Sequence, residues 1–363
     1  MDTHMKKLAV VLFAILISTA VFAEMKVDTQ VWLDSDYGIK NYAYSSGGAF
    51  YIGRAYLGVS GDIGKDWLGN PIKGKLTLDF FNAQSGVPIK FANFDWTLFK
   101  INNDRGAEFT SLVLSAGLMK SVFGNQDYDY VMPVKPVEEA TTISVCKTAD
   151  YGAMISGKFL PDPDKKDGLV RYYFQLLNGE GYTTIFSSMT TTTPKTGDFA
   201  GQGTVFVSPI SGLSAGGSYR YVGYNELNKK REISYALTVI ARDLKFGSGE
   251  GAAVIPIDAQ AEFVAMNSIT ATAKSGSTTA NILSVMVGYG FLDKSLYPYF
   301  RIDYSDPNIK KLATVDIDRA YYFGLNVKPN KDFSLKPMIS YKTLSQAKAV
   351  KLELDYKTSF LAW

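Results

Sequence analysis

The chain has 363 residues, with 38 Lys plus Arg against 35 Asp plus Glu and a formal net charge of +3. That near-balance lacks the strong basic imprint of a nucleic-acid-binding protein. A single cysteine excludes an internal disulfide, and 23 Tyr, 22 Phe and 32 Gly suit a tyrosine-rich β protein better than a helical enzyme.

Residues 1–23 read as a signal peptide, leaving 24–363 as one exported domain. Lys6 and Lys7 form the positive n-region and Leu8 to Ile17 the apolar core. Val21-Phe22-Ala23 then offers a cleavage site before Glu24. The apolar core is too short for a spanning helix, which needs about 20 residues. The only histidine, His4, lies in this segment.

From Glu24 onward the pattern has period two, which alternates side chains between the faces of a strand. The first predicted strands cover 26–33, 50–61, 73–81, 91–100 and 109–118. In the fourth of these, Phe94, Trp96 and Leu98 oppose Asp95 and Thr97. After an interruption come 150–159, 169–177, and a hairpin of 199–208 with 213–223. Strands over 233–242, 255–265, 281–291 and 296–304 follow. A second hairpin, Ala320 to Lys342, turns at Pro329-Asn330-Lys331-Asp332, and 349–356 completes about sixteen strands. Pro337 interrupts its strand and is expected to mark a bulge or a site near the rim.

Connections alternate in length. Asn102 to Gly106, Asp293 to Ser295 and Pro329 to Asp332 are short, whereas Asp34 to Gly48, Met119 to Ala149, Asn178 to Asp198 and Ser305 to Asp318 are long. Short turns on one rim and long loops on the other describe a transmembrane antiparallel β-barrel with periplasmic turns and external loops. Hydrocarbon satisfies no backbone polar group, so such a sheet must close on itself.

Several segments together resemble the phosphate-selective porin O/P family of sixteen-stranded bacterial outer-membrane porins. They are AFYIGRAYLGVSGDIG (Ala49 to Gly64), SAGLMKSVFG (Ser115 to Gly124) and DYGAMISGKF (Asp150 to Phe159). FQLLNGEG (Phe174 to Gly181), LYPYFRIDY (Leu296 to Tyr304) and FGLNVKPN (Phe323 to Asn330) complete the set. The resemblance implies a homotrimer whose third external loop, here Met119 to Ala149, folds into the lumen. The family's phosphate selectivity rests on arginine and lysine ladders. This chain departs from it by lacking a dense one.

Catalysis finds no support, because the mature chain has neither an imidazole for a triad nor a thiolate cluster around Cys146. No cofactor or metal is expected. On the inward register lie Arg54, Lys73, Lys75, Arg171, Arg220, Arg301 and Lys336. They either draw anions into the channel or pair with Asp79, Asp95, Asp258, Glu262 and Asp303 to fill a wet wall. The third loop mixes Lys120 and Lys135 with Asp127, Asp129, Glu138 and Glu139, acids that are either solvated or pore-lining. The first functional expectation is an outer-membrane porin passing ions and small hydrophilic solutes, either general or mildly anion-preferring, with outer-membrane lipid as its surroundings and no nucleic-acid partner. A structural or adhesive barrel with a plugged bore is the second, and a secreted soluble β protein the third.

Overall fold

The structure of the protein is a computed structural model. It describes residues 25–40, 43–44, 49–80, 89–102, 108–124, 149–159, 169–178, 199–225, 230–246, 253–270, 278–293, 295–306, 318–330, 332–343 and 348–362. The expected signal peptide lies outside them.

Among the described residues the regular structure is all β. The first half comprises β1 (Met25–Lys40), β2 (Ala43–Tyr44), β3 (Ala49–Lys65), β4 (Pro71–Asp79), β5 (Ile89–Asn102), β6 (Glu108–Lys120), β7 (Ala149–Phe159) and β8 (Val170–Leu177). The second comprises β9 (Ala200–Ile210), β10 (Leu213–Asn225), β11 (Lys230–Phe246), β12 (Ala253–Thr270), β13 (Thr278–Tyr289), β14 (Leu296–Asp306), β15 (Asp318–Val327), β16 (Phe333–Lys342) and β17 (Lys348–Ala362). The 2-residue β2 is a bridge, and the others form one antiparallel sheet in sequence order. β17 then pairs with β1 from Ala362 opposite Met25 to Lys348 opposite Ile39. Because β1 also pairs with β3, neither terminal strand keeps a free edge, and the sheet is a closed ring.

Burial is inverted relative to a water-soluble core. Leu237 is 64% and Phe323 63% exposed, whereas Arg301 is 2% and Glu262 1% exposed. Along β13, exposed Leu283, Val285 and Val287 alternate with buried Ile282, Ser284 and Met286. Aromatic pairs mark both ends of the outer belt. Tyr219 meets Tyr235 (ring centroids 5.5 Å apart) and Tyr321 stacks on Tyr341 (6.4 Å) toward the long-loop rim. Tyr289 meets Phe291 (4.8 Å) toward the other rim. An apolar band edged by aromatics is what hydrocarbon and its two interfaces require.

Differences from the sequence expectation have local causes. β1 runs to Lys40 and β3 starts at Ala49, so most of the loop expected over Asp34 to Gly48 is paired strand. A register shift between Thr97 and Phe99 leaves Leu98 as the extra residue, so Phe99 and Ile101 continue the exposed set begun by Phe94. Pro337 sits in neither a bulge nor a rim. Its strand keeps one register with β15 on both sides, but the ladder lapses between Gly324–Met338 and Val327–Leu335, as expected where proline removes the donor. At the β9–β10 turn Gly212 has φ 85°, and a Cβ there would lie 2.1 Å from the Arg242 carbonyl oxygen. Only glycine fits that approach.

The β3–β4 turn is organised by Asp66. Its Oδ1 accepts the amides of Leu68 and Asn70, both at 2.8 Å, and its Oδ2 accepts the Trp96 indole N–H at 2.8 Å. Desolvation pushes the carboxyl up, but the bonds from Trp96, Asn70 and Leu68 outweigh it and hold Asp66 below the ordinary aspartate range. A depressed carboxylate stabilises the fold above its unfolded pKa, and that contribution is lost as pH falls through the folded value. The thermal midpoint should therefore fall on acidification below the ordinary aspartate range. Asp66→Asn should lower the midpoint at neutral pH and flatten the acid dependence; an unchanged slope would remove Asp66 from the account. On the outer belt, Leu237→Arg should cost about 2–4 kcal/mol in reversible unfolding from lipid vesicles. A neutral effect would mean that this face does not meet hydrocarbon.

Candidate functional site

The inner wall and the chain segment leaving β6 form the candidate site. β6 ends at Lys120, which pairs with Ala149 of β7, so the third connection is 121–148. Its first four residues do not rise away from the rim. They cross the inner faces of β8 to β13. Val122 N–H donates to Gln175 Oε1 (2.6 Å), and Gln175 Nε2 donates to the Lys120 carbonyl (2.8 Å). Gln202 Nε2 donates to Ser121 Oγ (3.0 Å) and Thr204 Oγ1 to the Val122 carbonyl (2.8 Å). Gly124 N–H donates to Ser218 Oγ (2.9 Å). Phe123, fully buried, packs on Ala236, Val264 and Ile282 of three successive strands. The Val122 and Gly124 amides, the Val122 carbonyl and the Ser121 hydroxyl are thus matched, as burial demands, and the apolar ring lands on the apolar part of the wall. The fold lays Ser121–Gly124 against the inner wall.

The charged residues expected on the inward register have unequal surroundings. Arg220 is buried and donates from Nη1 to Gln202 Oε1 (3.2 Å). Arg301 is buried, ion-paired to Asp303, and its guanidinium carbon lies 5.5 Å from the Tyr322 ring centroid. Lys336 is buried opposite Glu353 of β17. Arg171, partly exposed, stands beside Lys158 of β7, with its guanidinium carbon 5.4 Å from the Phe206 ring centroid. Lys73 is exposed between Asp62 and Asp95 on its two neighbouring strands. Lys75 is exposed, with Nζ 4.7 Å from the Phe91 ring centroid. Arg54 lies in β3 opposite Trp32. Lys120 is exposed at the end of β6; Asp127, Asp129, Lys135, Glu138 and Glu139 lie outside the described residues.

At equal depth from the short-turn rim the wall differs from one side to the other. Ser214, Tyr297, Asn326 and Ser334, each second or second-last in its strand, are buried. Lys158 and Arg171, equally close to their strand ends, are not, and Lys73 is exposed. Two features seal the buried side. The Ser121–Gly124 segment covers the wall from β8 to β13. From β13 to β16, Met286, Tyr297, Tyr299, Tyr322 and Met338 pack on one another. Their rings lie over glycines: a Cβ on Gly324 would be 2.2 Å from Tyr299 Oη, and one on Gly288 would be 2.8 Å from the Tyr297 ring. The acids Asp258, Glu262 and Asp303 belong to this sealed side.

Sequence reasoning missed Lys90, because β5 begins at Ile89 and Lys90 occupies a register shift. It also left out Gln175, Gln202 and Ser218, although all three fall on the polar register of predicted strands. Nothing in the period of the chain marks which polar residues hold a loop.

No protein-family model matches the chain, and no curated protein matches it by sequence. Solved structures do. Salmonella typhi OmpF is 11% identical with a TM-score of 0.63, covering 92% of this chain and 97% of its own. A loop L8 deletion mutant of OmpT, an outer membrane protein of Vibrio cholerae, is 10% identical with a TM-score of 0.58 over 92% and 99%. A mutant of the Rh. blastica porin is 10% identical with a TM-score of 0.57 over 92% and 100%. The chain has the porin fold.

Phe123→Ala should release the segment, since emptying a phenylalanine socket costs about 3–5 kcal/mol. Hydrogen exchange at the Val122 and Gly124 amides should accelerate by about a hundredfold or more. Unaltered exchange would show that the loop is held elsewhere.

Proposed function

We propose that the chain is a bacterial outer-membrane porin through which ions and small hydrophilic solutes diffuse down their gradients. One observation carries this reading: a closed ring of strands, apolar outside and polar inside, with the segment after β6 drawn onto its inner wall. The likeness to porin structures supports it, and residues 1–23 would direct export of 24–363. No bond is made or broken. Flux is set by the free cross-section left beside the loop and by the charges that a solute meets there.

The anion preference belongs to the same proposal. The open inner side carries Lys73, Lys75, Lys158 and Arg171 against Asp62 and Asp95, a cationic excess, while the acids Asp258, Glu262 and Asp303 lie buried. Asp127, Asp129, Lys135, Glu138 and Glu139 would add the loop's own charge at the constriction. The resemblance to phosphate-selective porins, and the homotrimer it implies, stand on the sequence motifs. The packed wall over β13 to β16 favours a second reading, a structural barrel with a plugged bore.

Planar bilayers separate the two. The mature protein should give ohmic single-channel steps in KCl, and no current from well-folded protein would leave the plugged barrel. Deleting residues within 124–139 should raise the conductance. In a salt gradient Lys73→Glu should move the reversal potential toward cation preference, whereas Glu262→Gln should leave it unaltered. The opposite ranking would put the solute path on the other wall.

A further inference from the structure

On the exposed inner side the cations stand against aromatic rings. Lys75 Nζ lies 4.7 Å and Lys90 Nζ 5.6 Å from the Phe91 ring centroid, so two ammonium groups stand near one ring. Lys90 also donates to Tyr56 Oη (2.5 Å) and lies 4.1 Å from the Tyr56 centroid. These residues come from β3, β4 and β5, and the register brings them to one patch. Phe91 pairs with Thr77, two residues along β4 from Lys75, and Tyr56 pairs with Asp79. Lys75 is exposed and Phe91 and Tyr56 are half-buried, whereas Lys90 and Asp79 are buried, so Lys75 is the ammonium that a solute reaches. Asp95 lies one rung away, opposite Lys73. A solute at this patch meets an ammonium group and the faces or edges of two rings.

A wall built only to draw inorganic anions would need the charges and not the rings. Chloride or phosphate uses the ammonium alone, and so does a short aliphatic carboxylate. A carboxylate that bears an aromatic ring uses both, pairing with Lys75 while its own ring takes an offset or edge-on contact with Phe91 or Tyr56. Resting on the channel reading above, we infer that the Tyr56–Lys75–Lys90–Phe91 patch is a binding site for aromatic carboxylates, and that the channel passes this class of solute by transient binding at it. Transient binding suits conduction, since a site must hold a solute long enough to select it and weakly enough to release it.

Benzoate and acetate carry the same charge and differ in the ring. With the mature protein in a planar bilayer at constant ionic strength, benzoate should reduce the KCl current at a concentration about threefold or more below that of acetate. Phe91→Leu should bring benzoate to the acetate level while the KCl current persists. Lys75→Gln should weaken both anions. Lys73→Gln, on the same face but between acids rather than rings, should preserve the benzoate-to-acetate ratio. Should Phe91→Leu fail to insert, Tyr56→Leu removes the second ring and should lower the ratio, with Phe91→Tyr restoring a conducting channel that keeps it. Equal effects of the two anions on a channel that conducts KCl, or an unchanged ratio in Phe91→Leu or Tyr56→Leu, would overturn the site alone. A protein that carries no KCl current would overturn the channel reading and the site with it.

Discussion

A β-strand in hydrocarbon cannot leave its N–H and C=O groups facing lipid, because no water is present to bond them. The rest of the molecule follows from that demand. The seam between β1 and β17 extends from Met25–Ala362 to Ile39–Lys348 without a register shift. The even number of long strands lets the two ends of the chain meet antiparallel. With the edge removed, each strand has one face for lipid and one for the lumen, and period two carries that division around the ring.

Closure raises a second demand on the inside, where polar side chains must find partners without filling the bore evenly. The chain meets it in two ways. Around Ser121–Gly124 the partners are neutral: Gln175, Gln202, Thr204 and Ser218 bond backbone and hydroxyl groups of the incoming segment and one another. Over β13 to β16 the wall is thickened instead. Aromatic side chains lie over glycines of the adjacent strand, Tyr297 over Gly288 and Tyr299 over Gly324, which lets both be almost fully buried on an inward face. Arg301 then finds both an acid, Asp303, and a ring, Tyr322, in that packed region.

Those demands explain which features were legible in the sequence. Alternation such as Leu283, Val285 and Val287 against Ser284 and Met286 reads directly, because lipid on one side enforces it. Asp34, Ser35 and Asp36 do not read as strand, although β1 continues through them to Lys40. Beyond the membrane both faces of a strand are wet, so the pairing persists while the hydrophobic pattern lapses. Register shifts at Leu98 and Lys90 were invisible for a related reason: one inserted residue leaves composition unchanged and moves every later side chain to the other face. The entry of the third loop was foreshadowed by the Phe-Gly pair at Phe123 and Gly124. Its socket was not, since Ala236, Val264 and Ile282 fall on the polar register of their strands and nothing in the period sets them apart.

The inner charges illustrate the limit most clearly. Period two assigns Lys73, Arg220 and Arg301 to the same face, yet Lys73 is exposed and the two arginines are buried. A one-dimensional pattern gives the face of a residue but not what lies in front of it, which depends on where a distant loop comes to rest. For the same reason the overall charge of +3 says little about the field a solute feels. The buried acids Asp258, Glu262 and Asp303 are screened from the bore by packed side chains, whereas an ammonium on the open side acts across a few ångströms of water. In the channel proposed here, selectivity would therefore depend on exposure before composition, and the aromatic rings beside the exposed Lys75 would modify it further.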